Sequence, residues 1–128
     1  MANPTLPLDA YKALIDQLVN ETSHSVTAKI VVERGTFLET SAHAVFNDLV
    51  GSLAPERRKL LSQMLEEERV GAIHDVLAVL TWWISPQGLG FTFRGESMPV
   101  DLSGMGLHGD YIGRRDDWEW PDGEPSGM

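Results

Sequence analysis

The chain has 128 residues, 42% hydrophobic and 23% charged, enough for one compact domain and too little for two ordinary ones. It holds no cysteine, which excludes a disulfide framework, a thiolate nucleophile and a cysteine-based zinc site. Ten Lys and Arg against 19 Asp and Glu give a formal charge of −9. Such a field repels phosphate backbones and steers basic partners, so no nucleic-acid binding is expected.

The first seven residues carry no basic region followed by an apolar run and do not read as a signal peptide. No window approaches the ~20 apolar residues of a membrane span, so a cytoplasmic protein without a membrane partner is expected. Residues 1–7 and 121–128 read as loosely ordered tails of a single domain covering residues 1–128.

Leu8, Tyr11, Leu14, Ile15, Leu18 and Val19 recur at helical spacing, which predicts an amphipathic helix over residues 8–21. Asp9 is its expected N-cap, and Asp16 lies on the opposite face. A shorter helix follows over residues 25–34, turning Val26, Ile30 and Val31 inward, with Gly35 as a left-handed C-terminal cap. The third helix starts either at Thr36, where Thr36 and Glu39 have the spacing of a capping box, or at Ser41. Its inward stripe is Val45, Phe46, Leu49 and Val50, with His43 beside it.

Pro55-Glu56 opens the strongest helical pattern, running through Leu60, Leu61, Met64, Leu65, Ile73, Val76, Leu77, Leu80 and Ile84. Unbroken, it would be about 45 Å long at 1.5 Å per residue, so a kink or break is expected around Val70-Gly71. Trp82 and Trp83 are adjacent and therefore about 100° apart on a helix, which places at least one of them in the core.

Beyond Pro86 the period changes to two. Leu89, Phe91 and Phe93 alternate with Gly90, Thr92 and Arg94; Met98, Val100 and Leu102 alternate with Ser97, Pro99 and Asp101. Gly95-Glu96 between them has the form of a type II′ turn. Residues 105–112 are the candidate third strand, with a short helical turn over residues 110–115 as the alternative. The fold class is α+β, mainly helical, with four to five helices and a C-terminal β-hairpin packed on them.

Three groups of residues invite a chemical reading. Gly104-Met105-Gly106-Leu107-His108-Gly109 satisfies Gly-x-Gly-x-x-Gly, but only 19 residues follow it, too few to complete the βαβ unit that a dinucleotide needs. It reads as a glycine-rich connection, and no cofactor is expected. Glu67 and His74 share one helix face, and Glu68 and Asp75 the adjacent one, so Glu67, His74 and Asp75 could supply metal ligands or an acid–base pair. Their spacing matches neither His-Glu-x-x-His nor Glu-x-x-His, and a solvated acidic helix face explains the same residues. Finally, Tyr111, Arg114, Arg115, Trp118 and Trp120 crowd into residues 109–121. Trp and Arg dominate binding hot spots, yet the same cluster can clasp a terminal segment to its own domain. The acids of residues 66–75 are its expected dock.

Two stretches, Leu-Glu-Glu-Glu-Arg-Val-Gly-Ala-Ile-His-Asp-Val-Leu at residues 65–77 and Asp-Tyr-Ile-Gly-Arg-Arg-Asp-Asp-Trp-Glu-Trp-Pro at residues 110–121, resemble a family of small bacterial proteins of unknown function. The resemblance spans roughly residues 11–121. It implies a bacterial, single-domain, cytoplasmic protein in which these two segments belong to one arrangement, and it brings no activity. One local departure is Ala54, where helix starts of this kind carry a hydroxyl before the proline.

The function expected from these residues is a small acidic, non-enzymatic interaction protein, an immunity- or antitoxin-like binder of a basic partner, using Tyr111, Arg114, Arg115, Trp118, Trp120, Glu67, Glu68 and His74. The alternatives are a metal-dependent hydrolase-type enzyme built on Glu67, His74 and Asp75, and a structural subunit of a homodimer.

Overall fold

The computed structural model describes residues 3–124. In chain order it contains α1 (Pro7–Thr22), α2 (Val26–Arg34), a 3-10 turn (Ser41–His43), α3 (Ala44–Gly51), α4 (Pro55–Ile84), β1 (Thr92–Phe93), β2 (Glu96–Ser97) and α5 (Gly106–Arg115). The architecture is α+β and mainly helical, with five α-helices and a two-stranded antiparallel hairpin among the described residues. Contacts divide the chain into two compact units. One joins Met1–Glu21 to Ala72–Met128, and the other is Thr22–Gly71.

The discontinuous unit holds most of the buried side chains. Its helix α1 starts at Pro7, where a missing N–H costs nothing, so Asp9 stands inside the first turn rather than at the cap. Tyr11 and Ile15 are fully buried with Ala10 and Ala13, whereas Leu14, expected inward, is half exposed. The inner face is also less apolar than the periodicity predicts. Asp9 and Lys12 are buried on it, and Lys12 Nζ donates to the Gly123 carbonyl at 3.0 Å. Residues 120–123 are therefore tied down rather than loose; residues 125–128, and residues 1 and 2, lie outside the described residues.

In this unit α4 buries Leu77 and half-buries Ile73 and Leu80, which suffices for its inner face. Trp82 and Trp83 are both half exposed, so neither belongs to the core as expected; their rings meet edge to face at 5.3 Å instead. No break interrupts α4 at Val70-Gly71. A glycine costs about 1 kcal/mol relative to alanine inside a helix, too little to interrupt one with long runs on either side. A Cβ at Gly71 would meet nothing within 4 Å, so the residue serves no close approach either.

The hairpin pairs Thr92 with Ser97 and Phe93 with Glu96, and Met98 N–H donates to the Phe91 carbonyl at 2.8 Å. Its two-residue turn is Arg94-Gly95, one position earlier than expected. Both residues have positive φ, 52° and 82°, the signature of a type I′ turn, whose twist matches the strands better than type I or II. The alternation holds over residues 91–94: Phe91 and Phe93 are half-buried while Thr92 and Arg94 are exposed, although Leu89, expected inward, is 42% exposed. Phe91 and Val100 line an apolar cavity of about 220 Å³ together with Ile15, Leu18, Leu77 and Leu80. Residues 105–112 are not a third strand. Leu107, Asp110 and Tyr111 fall at helical spacing, and burying these three defines the inner face of α5.

In the Thr22–Gly71 unit, local chemistry sets the helix ends. Ser25 caps α2 by accepting from Ala28 N–H at 3.2 Å, and Gly35 ends it at φ 67° with its N–H returning to the Val31 carbonyl. Ala28 and Val31 form the buried stripe, and Val26 points outward. Thr36 and Glu39 touch only through their side chains, and the helical turn begins at Ser41, the later of the two expected starts. Asn47 fixes the intervening loop, accepting from Phe37 N–H at 2.6 Å and donating to the Leu38 carbonyl at 2.8 Å. Arg58 donates to the last carbonyls of α3, Val50 and Gly51, both at 3.2 Å. Ser62 donates to the Ala28 carbonyl at 2.9 Å, joining α4 to α2. Of the stripe expected to face inward on α3, Val50 alone is buried; Val45, Phe46 and Leu49 are exposed.

Candidate functional site

Asp110 sits in the middle of α5 and is fully buried. A carboxylate there must be hydrogen-bonded, and it is. Tyr11 of α1 donates its hydroxyl to Oδ2, Leu102 N–H donates to the same oxygen at 2.7 Å, and Ser103 N–H donates to Oδ1 at 2.8 Å. The Tyr11 hydroxyl in turn accepts from Asp101 N–H at 3.2 Å. Burial, then the hydrogen bond to Asp110, raises the Tyr11 pKa far above its ordinary value.

The start of α5 lacks a capping side chain at Met105, and its orphan donors are met from elsewhere. Gly106 N–H reaches Asp101 Oδ1 at 2.6 Å, and Leu107 N–H reaches Thr81 Oγ1 at 2.9 Å. Gly106 has φ 89°, and a Cβ there would lie 2.9 Å from the Thr81 methyl group. Glycine is required at this position by both backbone and space. The Gly-x-Gly-x-x-Gly stretch thus serves the packing of α5 against α4, with no parallel strand before it.

One turn beyond α5 the chain folds back, Trp118 N–H donating to the Gly113 carbonyl at 2.7 Å with Asp117 at φ 66°. This places Arg114 against α1. Its Nε donates to Asp16 Oδ1 at 2.7 Å and its Nη2 to Asp16 Oδ2 at 3.2 Å, a two-pronged pair, while Nη1 holds the Trp118 carbonyl at 2.8 Å. Trp120 is buried; its indole N–H donates to Asp16 Oδ2 at 3.2 Å, its ring lies 5.0 Å from the Arg114 guanidinium, and its edge meets Tyr11. Burial alone would pull the Arg114 pKa down, but the hydrogen bonds and charge of Asp16, with Glu124 beside it, raise it.

The Arg/Trp segment is therefore an intramolecular clasp, and its acid is Asp16 of α1 rather than an acid of residues 66–75. Tyr111 is fully buried and Trp118 half-buried, so Arg115 is the exposed member of the expected Tyr/Arg/Trp group of this segment. Sequence reasoning missed Asp16, Tyr11, Lys12 and Asp110. The available signal was an excess of polar positions on two helix faces otherwise spaced like core.

The other expected group is looser. The His74 ring lies 5.1 Å from that of His108, edge to face, and its Nδ1 is 3.2 Å from Oδ1 of the exposed Asp75. His108 in turn lies 3.4 Å from Thr81 Oγ1. Glu67 and Glu68 are exposed. Among the described residues no group of three or more His, Asp or Glu is placed to hold a metal ion.

What the clasp turns outward is acidic. Asp116, Asp117, Glu119, Asp122 and Glu124 are all exposed within nine positions, while Lys12 and Arg114, two of the four cations of this unit, point inward. The unit carries four Lys and Arg against twelve Asp and Glu; the Thr22–Gly71 unit carries six against seven. The charge of −9 is thus almost wholly a property of one unit.

Among the described residues no helix is long and apolar enough to cross a membrane. No curated protein and no solved structure matches the chain. The model of a family of unknown function, DUF6547, matches residues 4–122, a span that includes the Tyr11–Asp110 network and the Asp16–Arg114–Trp120 clasp, and the chain belongs to that family.

Proposed function

We propose that this is a bacterial, cytoplasmic, non-enzymatic interaction protein that presents an acidic face to a basic protein partner, in the manner of an immunity protein or antitoxin. The observation that carries the reading is the orientation of residues 114–122: the Arg and Trp side chains anchor the segment, and Asp116, Asp117, Glu119 and Asp122 are held outward on it. A fixed row of carboxylates steers a cationic surface into register and raises its association rate. The binding set is accordingly these acids, with Arg115 at their edge, rather than the buried Tyr111 and Trp120.

Affinity capture from source-cell extract tests this with the wild type and a variant carrying Asp116→Asn, Asp117→Asn, Glu119→Gln and Asp122→Asn. The expected result is a basic protein held by the wild type, released by added salt, and held at least about tenfold less by the variant. Equal capture by both, or capture indifferent to salt, would overturn the reading. So would one-to-one binding of Zn²⁺, Mn²⁺ or Ni²⁺ in a calorimetric titration that His74→Ala abolishes, since that belongs to the metal-dependent enzyme.

A further inference from the structure

The Thr22–Gly71 unit is near-neutral and exposes several large apolar side chains beside its charges. A groove of about 220 Å³ between α3 and α4 is lined by Phe37, Phe46, Leu49, Val50, Leu61 and Leu65. Val45 on α3 is exposed as well, and Leu60 and Met64 on α4 line a second depression with Gln63, Glu67 and Glu68. Val45, Phe46, Leu49, Leu60 and Met64 each leave 50–76% of their surface in solvent. Together that is on the order of 500 Å² of apolar surface, at the upper end of what a monomer shows in one patch and most of the ~800 Å² per partner that a stable pair buries.

The sequence of α4 is self-complementary when read from Ser62-Gln63. Leu61 mirrors Met64, Leu60 mirrors Leu65, Lys59 mirrors Glu66, Arg58 mirrors Glu67, and Arg57 mirrors Glu68. Basic residues precede the apolar centre and acidic residues follow it. On one helix Arg57 and the Glu67-Glu68 pair lie too far apart to meet, but an antiparallel copy of the same helix brings them opposite each other. Lys59 and Glu66 fall about 140–160° round the helix from Met64, on its other side. Arg57, Lys59, Glu67 and Glu68 are exposed along this stretch, and Arg58 is engaged with α3.

We propose that a second copy of this chain occupies the face, the two α4 helices lying antiparallel about a twofold axis near Ser62-Gln63. Leu60 and Met64 of each copy close over the other's groove, and Arg57 of one meets Glu67 and Glu68 of its partner. The charge distribution favours this pairing over one through the acidic unit. Six cations against seven anions let two copies approach, whereas four against twelve would set like charges together. The inference stands apart from the basic-partner reading, which uses the other unit.

Sedimentation equilibrium over a range of protein concentrations tests it. The wild type is expected to be a dimer at micromolar concentration, and Met64→Glu a monomer with unchanged circular dichroism, since Met64 is 67% exposed. Arg57→Glu, and separately Glu67→Lys with Glu68→Lys, should each weaken self-association at least about tenfold. Mixing these two variants should restore a mixed dimer, which no loss of folding can mimic. A wild type monomeric up to about 100 µM, a dimer indifferent to Met64→Glu, or failure of the mixed pair to form would each overturn the proposal.

Discussion

Asp16 shows how one carboxylate can organise a terminus. It stands on α1 with its side chain 32% exposed, and it accepts from two nitrogens of Arg114 and from the Trp120 indole. Asp16→Ala would leave a guanidinium only 16% exposed with the more distant, exposed Glu124 as its counter-charge, and an indole N–H without this acceptor. Hydrogen bonds to charged groups contribute about 1.5–3 kcal/mol, so a loss of about 2–3 kcal/mol in denaturant unfolding is expected, against less than about 0.5 for the exposed Asp116→Asn. Tyr11 makes a second prediction, in pH. Below its ordinary pKa of 10.0 the phenol keeps its proton in both folded and unfolded chains. Above that pH the unfolded chain releases the proton while the buried hydroxyl retains it, so stability falls as pH rises, by up to about 1.4 kcal/mol per unit. Tyr11→Phe should flatten the alkaline limb of the stability profile and cost about 1 kcal/mol at neutral pH through the lost hydrogen bond. An alkaline limb as steep in the variant as in the parent would contradict the burial of this proton.

At the scale of elements, α4 begins at Pro55 after an alanine that cannot cap it. Ala54→Thr should add about 1 kcal/mol of stability by supplying an acceptor for the orphan donors of the first turn, read as a raised midpoint of thermal unfolding. That boundary was legible because its chemistry is local, as it was at Ser25, at Gly35 and in the alternation of Phe91, Thr92 and Phe93. Other features depend on distant groups and were not. Periodicity placed Val45, Phe46 and Leu49 on one face of α3 but could not say whether anything covers that face. Asp16 read as lying on the outer face of its helix and Asp110 carried no signal of its own, because their partners lie at Arg114 and Tyr11, 98 and 99 positions away. The glycines of residues 104–109 suggested irregular chain, whereas Leu107, Asp110 and Tyr111 had buried sites that a helix satisfies.

For the molecule as a whole, burial is uneven between the two units. Large side chains such as Tyr11, Ile15, Leu107, Tyr111 and Trp120 are buried in the discontinuous unit, while the buried apolar residues of Thr22–Gly71 are Ala28, Val31, Val50 and Val70. Opening free energy follows buried apolar contact. Native-state hydrogen exchange should therefore find the amides of α2 and α3 opening at lower cost than those of α1 and α5. Equal protection in both sets would mean that the smaller core is not the weaker one.

The clasp at Trp120 also dictates an order of assembly. Residues 22–71 can satisfy their own short-range contacts as soon as they are made, but Tyr11 must wait for Asp110, Asp16 for Arg114, and Lys12 for Gly123. Each of these closures spans about a hundred residues of intervening chain, the kind of contact that loop-closure entropy makes slow. During synthesis Tyr11, Lys12 and Asp16 of the first helix are consequently without their polar partners until residues 110–123 have been made. A chain stopped before Trp120 would leave Lys12 without the Gly123 carbonyl and Asp16 without the Trp120 indole, so truncation there should be as damaging as a lesion in the core.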